Sequence, residues 1–94
     1  MYARIASFEG GDMERMREMS ESSGEMETPE GMKGGMVLAD KGTGRSMFIA
    51  YFDSAEQIEA AKEKFEQMGD EIPEDVRGRR TSVDVYEVVW NQQP

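Results

Sequence analysis

The sequence predicts an α+β fold of the ferredoxin-like type: elements in the order βαββαβ, making one four-stranded antiparallel sheet with two helices on one face. Three observations predict it. β-forming segments stand near both ends of the chain, around "YARIASF" and "TSVDVYEVVW". A hairpin signal, "DKGTGR", separates two apolar runs in the middle. A stripe of apolar residues at helical spacing lies on either side of that hairpin unit.

Tyr2 to Phe8 is short and apolar, and "EGGD" closes it. Asp12 is then placed to cap a helix on which Met13, Met16 and Met19 recur at helical spacing. The Ser, Gly and Pro of "SESSGEMETPEG" end that helix near residues 20 to 27. "MKGGMVLAD" reads as the second strand, and Gly42 and Gly44 supply turn conformations for the hairpin. "RSMFIAYFDS", with six consecutive apolar residues from Met47 to Phe52, is the third strand. Ser54, three residues before Gln57, fits a capping box. Ile58, Ala61, Phe65 and Met68 give the second helix its apolar stripe, and Gly69 stands where a glycine would end it. "DEIPEDVRGRR" is a loop with Ile72 and Val76 tucked beneath it, and Val83 to Val89 carry the last strand.

Composition narrows the function. The 94 residues make one domain, 1–94, with a net charge of -9. That charge argues against nucleic acid and against anionic membranes, since both need a basic surface. It also sets aside an RNA-recognition reading of the same strand order, which lacks the aromatic stacking motif as well. There is no cysteine and no histidine, which removes thiolate chemistry, the commonest general base and most transition-metal sites. No metal and no cofactor are expected, because the acidic pairs Glu14/Glu18 and Glu59/Glu63 resemble no metal motif. The "GTG" at 42–44 joins strand to strand, so it is a turn, not a phosphate cradle. The basic "RGRR" at 77–80 offsets neighbouring acidic runs or recruits an anion. The first residues lack the pattern of a signal peptide and no segment is long enough to span a membrane, so a soluble cytoplasmic protein is expected.

The third strand poses a packing problem. Ser46, Phe48, Ala50 and Phe52 point one way, and Met47, Ile49 and Tyr51 the other. Two helices cover one face only, and a contiguous apolar patch is seldom left in water. A second copy of the chain, laid sheet to sheet about a two-fold axis, covers the other face.

"PEGMKGGMVLAD", "DKGTGRSMFIAYFDSAEQIEAA" and "VDVYEVV" together resemble the antibiotic-biosynthesis-monooxygenase-like family of the dimeric α/β-barrel superfamily. The resemblance implies a homodimer with facing sheets and a ligand pocket in each subunit between sheet and helices. Some relatives oxidise aromatic polyketides with molecular oxygen and no cofactor, others degrade haem, and others have no known activity. Phe52 stands where the catalytic members end this strand in Trp, and Phe48 where the oxygenases carry a polar Asn. The histidine of the haem degraders is absent. Two functions follow as expectations: a cofactor-free, monooxygenase-type protein acting on a small aromatic molecule, or a non-catalytic ligand-binding or structural dimer.

The candidate catalytic residues are Tyr51, Tyr86, Arg4 and Asp84, and the candidate ligand-binding residues are Phe48, Phe52, Ser7 and Trp90. Tyr51 and Tyr86 are donors for a bound oxyanion or ordinary residues of a sheet-sheet interface. Arg4 and Asp84, on adjacent strands, read either as a cross-strand ion pair or as polar groups reaching a pocket. Phe48 and Phe52 line an aromatic pocket or fill the core. Trp90 closes a pocket or packs across the dimer, and Ser7 is a further polar group on the first strand.

Overall fold

The structure is a computed structural model that describes residues 1–22 and 28–92. The strands are β1 (Tyr2–Glu9), β2 (Gly34–Asp40), β3 (Arg45–Phe52) and β4 (Arg79–Glu87). The helices are α1 (Met13–Ser22), α2 (Ala55–Ala60), α3 (Lys62–Glu71) and the single turn α4 (Glu74–Arg77). The strands form one antiparallel sheet in the order β2-β3-β1-β4, the ferredoxin-like arrangement expected from the sequence. Residues 23–27, where the first helix was expected to break, lie outside the described residues.

Local chemistry sets the boundaries. Asp12 caps α1, its Oδ1 accepting from the Arg15 N–H at 3.2 Å. The Ser54 Oγ accepts from the Gln57 N–H at 3.3 Å while Gln57 Oε1 accepts from the Ser54 N–H, completing the capping box. At the β2–β3 hairpin the Gly42 N–H donates to Asp40 Oδ1 at 2.9 Å, and this bond lowers the Asp40 pKa. The resulting stabilisation is present above the ordinary carboxylate pKa and is lost as pH falls through the depressed one.

The second helical segment differs from expectation in two ways. It is interrupted at Ala61, whose φ and ψ of -86° and -2° separate α2 from α3 although its N–H still bonds back to Gln57. Gly69 does not end it. The helix runs on to Glu71, because Gly69 has a negative φ and continues the helical ladder. The 71–80 segment holds α4 instead of a plain loop, and the last strand starts earlier and stops earlier than expected, at Arg79 and Glu87. Val76 is fully buried beneath it, as the sequence suggested.

The core is Ala50, Phe52, Ile58, Ala61 and Phe65, with Tyr2, Met32, Phe48 and Met68 packed around it. Phe52 and Phe65 meet edge to face, centroids 5.9 Å apart at 77°. At the other end of the molecule α4 props α1. The Asp12 N–H donates to the Val76 carbonyl at 2.8 Å, and Arg15 pairs with Asp75 at 2.9 Å. Glycine is needed at this junction. Gly78 has a φ of 85°, and a Cβ on it would lie 2.5 Å from the Glu9 carbonyl oxygen.

Two substitutions test this account. Phe52→Ala is expected to lower the unfolding free energy by about 3–5 kcal/mol in urea titrations. Gly78→Ala is expected to destabilise by more than about 1 kcal/mol, through strain and the clash with Glu9; an unchanged midpoint would show that α4 does not prop α1.

Candidate functional site

Strand alternation gives the sheet two faces with different chemistry. On the helix side, register puts Arg4, Ala6 and Phe8 of β1 beside Ala50, Phe48 and Ser46 of β3. Gly35 and Val37 follow on β2. Much of this floor is small: Gly35, Ala6 and Ser46. The helices above cannot fill the space over it, since α3 is fixed by Phe65 at one end and α1 packs chiefly against α4. A cavity of about 1050 Å³ results, roofed by Met13, Met16 and Met19 of α1 and Met68 of α3, with Met32 and Phe48 at its side. The volume is at the upper end for small-molecule sites. Flexible thioether walls adapt to ligands of different outline.

Arg4 is the notable polar group. It is only 7% exposed, lines the cavity, and holds its Cζ 4.1 Å over the centre of the Phe65 ring. Among the described residues its guanidinium has no hydrogen-bond or ion-pair partner. Burial, followed by the like charge of Arg80, lowers its pKa; Glu66 acts in the opposite sense. The other cations of the wall are more occupied. Arg80 pairs with Glu66 at 3.1 Å and Lys33 with Asp53 at 3.4 Å. The Arg77 Nη1 donates to the Gly78 carbonyl at 3.4 Å, though its Nε is buried without a partner.

The eight candidates from the sequence separate by face. Arg4 and Phe48 line the cavity. Phe52 lies on the same side but is fully buried in the core beneath α2 and α3. Tyr51, Tyr86, Asp84 and Ser7 fall on the opposite, outer face by register, so they do not reach this cavity. The possible Arg4–Asp84 ion pair does not form. Asp84 is opposite Ile5, Arg4 is opposite Val85, and the one-residue offset sends the two side chains to opposite faces. Trp90 lies beyond the end of β4, 79% exposed, and does not close the cavity.

The outer face is apolar in its middle: Ile5, Ile49 and Tyr51 are half-buried, and Met36, Leu38 and Tyr86 exposed. Sequence reasoning named the basic 77–80 cluster as an alternative anion site without placing Arg77 and Arg80 at this cavity; it missed Met32 there, and missed that the methionines of α1 form a roof. The spacing of those methionines was visible; their distance from the sheet depends on α4, which no local pattern announced. Among the described residues no group of His, Cys, Asp or Glu is placed to hold a metal ion, and no helix is long and apolar enough to cross a membrane.

No family model matches the chain, and no curated protein matches it. Among solved structures it is similar to a mutant of MhuD that carries two manganese protoporphyrin IX molecules per active site. The two share 16% identity, the match covers 100% of each chain, and the TM-score is 0.60. The likeness is one of fold, of the kind the resemblance in the sequence implied.

A buried cation without a counter-charge is a stability liability. Arg4→Met is therefore expected to raise the urea midpoint of the ligand-free protein, by about 1 kcal/mol or more. A lowered midpoint would mean that Arg4 contributes to the fold.

Proposed function

We propose that the protein is a homodimer that binds one flat, largely apolar organic molecule per subunit in the cavity between sheet and helices. The cavity carries this reading: it is large, methionine-walled and floored by small residues, where a structural core of this size would be filled. The outer sheet face supports the dimer, since Ile49, Leu38, Met36 and Tyr86 make a continuous apolar surface suited to a second copy. The candidate tyrosines belong to that interface and not to the ligand.

The neighbour's porphyrins show that a site on this fold takes large flat molecules. A metalloporphyrin is a poor match for the donors of this chain. With no histidine or cysteine in the sequence, the wall would offer such a group's metal only thioethers, hydroxyls and carboxylates, so no chemical step is assigned to it.

Arg4 favours a second reading, a cofactor-free oxygenase. A largely buried guanidinium without a hydrogen-bond or ion-pair partner among the described residues would stabilise the enolate of an enolisable aromatic, which would itself reduce oxygen. For anthrone the balance is anthrone plus O2 giving anthraquinone plus water. Loss of the Tyr residues from the site leaves Arg4 as the group to carry such a reaction.

Sedimentation is expected to give a particle of about twice 10.6 kDa, reduced to a single chain by Ile49→Glu. A wild-type monomer would overturn the dimer. Calorimetric titration with anthrone under nitrogen is expected to show one site per chain, weakened at least about tenfold by Met16→Trp, which fills the cavity. No binding of anthrone or of other flat aromatics would overturn the ligand reading. Under air, oxygen uptake with anthrone that is lost in Arg4→Met would establish the second reading, and absent turnover would leave a binding protein.

A further inference from the structure

The charge arrangement inside the cavity identifies what kind of molecule fits it. The chain carries a net charge of -9, yet the cavity wall holds Arg4, Lys33, Arg77 and Arg80 against Glu66, Asp70 and Glu74. An acidic chain thus keeps a small cationic excess, four side chains against three, around this cavity. Lys33 and Arg80 are ion-paired. Among the described residues Arg4 has no ion-pair partner: Glu66, the acid near enough to act on its charge, is held by Arg80. The strand neighbours of Arg4 on the helix side are Ala50 and Val85, and Phe65 lies over it. The ring occupies the π face of a guanidinium whose N–H donors, directed outward in its plane, are left for something else.

We propose that the cavity takes an anion: an apolar, aromatic-bodied molecule bearing a carboxylate, which binds Arg4 through two parallel N–H···O bonds beside Arg80. This rests on the reading of the cavity as a ligand site. The planar fork of arginine matches a carboxylate in shape, which a point charge does not. Because water is largely excluded around Arg4, the carboxylate replaces a missing counter-charge and does not compete with an existing protein partner. Glu66 stays with Arg80, so binding breaks no ion pair. The apolar body then lies between the small-residue floor and the methionines of α1. The lowered pKa of Arg4 is consistent with such a site, since burial and the like charge of Arg80 outweigh the opposing charge of Glu66.

The test is a matched pair of probes of equal aromatic outline: 9-anthracenecarboxylate and neutral 9-anthracenemethanol, titrated at pH 7 by fluorescence into the intact protein. The carboxylate is expected to bind at least about tenfold more tightly than the alcohol. In Arg4→Met the preference is expected to fall to within about twofold, with the alcohol bound as in wild type, which also reports an intact cavity. Arg4→Lys, keeping charge without the fork, is expected to retain part of the preference. Equal binding of the two probes by the wild type would overturn the anion proposal and leave the ligand site standing. A preference that survives both variants would overturn Arg4 as the anchor. Failure of both probes to bind the wild type would overturn the ligand site itself, and this proposal with it.

Discussion

The edge-to-face contact of Phe52 with Phe65 sets the geometry on which the site depends. It fixes α3 against the end of β3 and brings Phe65 over Arg4. A bulky residue at Ala6 or Ser46 would let the sheet fill the rest of the interlayer space, as cores ordinarily do, while the space over Gly35 is already taken by Met32. With small residues there, and α1 resting on α4, the layers close at their ends and stay apart between. The cavity is therefore a consequence of side-chain volumes and of two supports. No special backbone conformation is required within the floor itself.

That geometry places a charge where the rules of burial would exclude one. An arginine enclosed by Ala50, Val85 and Phe65 gains a cation-π contact of order 1 kcal/mol, well short of the several kcal/mol that desolvation of an ion costs. The rest of the fold must carry the difference. Sequences that break a local rule of this kind generally do so at functional sites and compensate elsewhere in the structure. Methionine on the opposite wall fits the same purpose, since it keeps the space apolar while conforming to what enters.

Much of the fold was legible in the residues. The alternation of Phe48, Ala50 and Phe52 against Met47, Ile49 and Tyr51 gave the correct sides of β3, and Ser54 with Gln57 located the start of α2. The candidate site was legible only in part. Arg4 and Phe48 were among the named residues, but Tyr51, Tyr86, Asp84 and Ser7 were grouped with them by residue type. Chemistry suggests which side chains are interesting; the parity of strand register decides which of them meet. For Arg4 and Asp84 the difference was a single position in the β1–β4 pairing, which depends on how β4 is set by α4 and by the irregularity near Ser7 and Phe8. A departure of one residue in such a strand moves a side chain across the whole thickness of the sheet.

The two faces divide the work of a small chain. One side buries a core and leaves a cavity; the other presents an apolar surface and no cavity. Because β3 contributes alternate residues to both, a change at Ile49 alters the outer apolar surface while a change at Phe48, one position away, alters the cavity. The peptide backbone between them is shared, so the faces are structurally coupled through the rigidity of the sheet, and Met36 and Met47, on the outer face by register, also border the cavity. The fold likeness at 16% identity reaches the backbone and stops there. The lining of the cavity, with Arg4, Phe65 above it and the methionine wall, is a property of this sequence and not of the fold it shares.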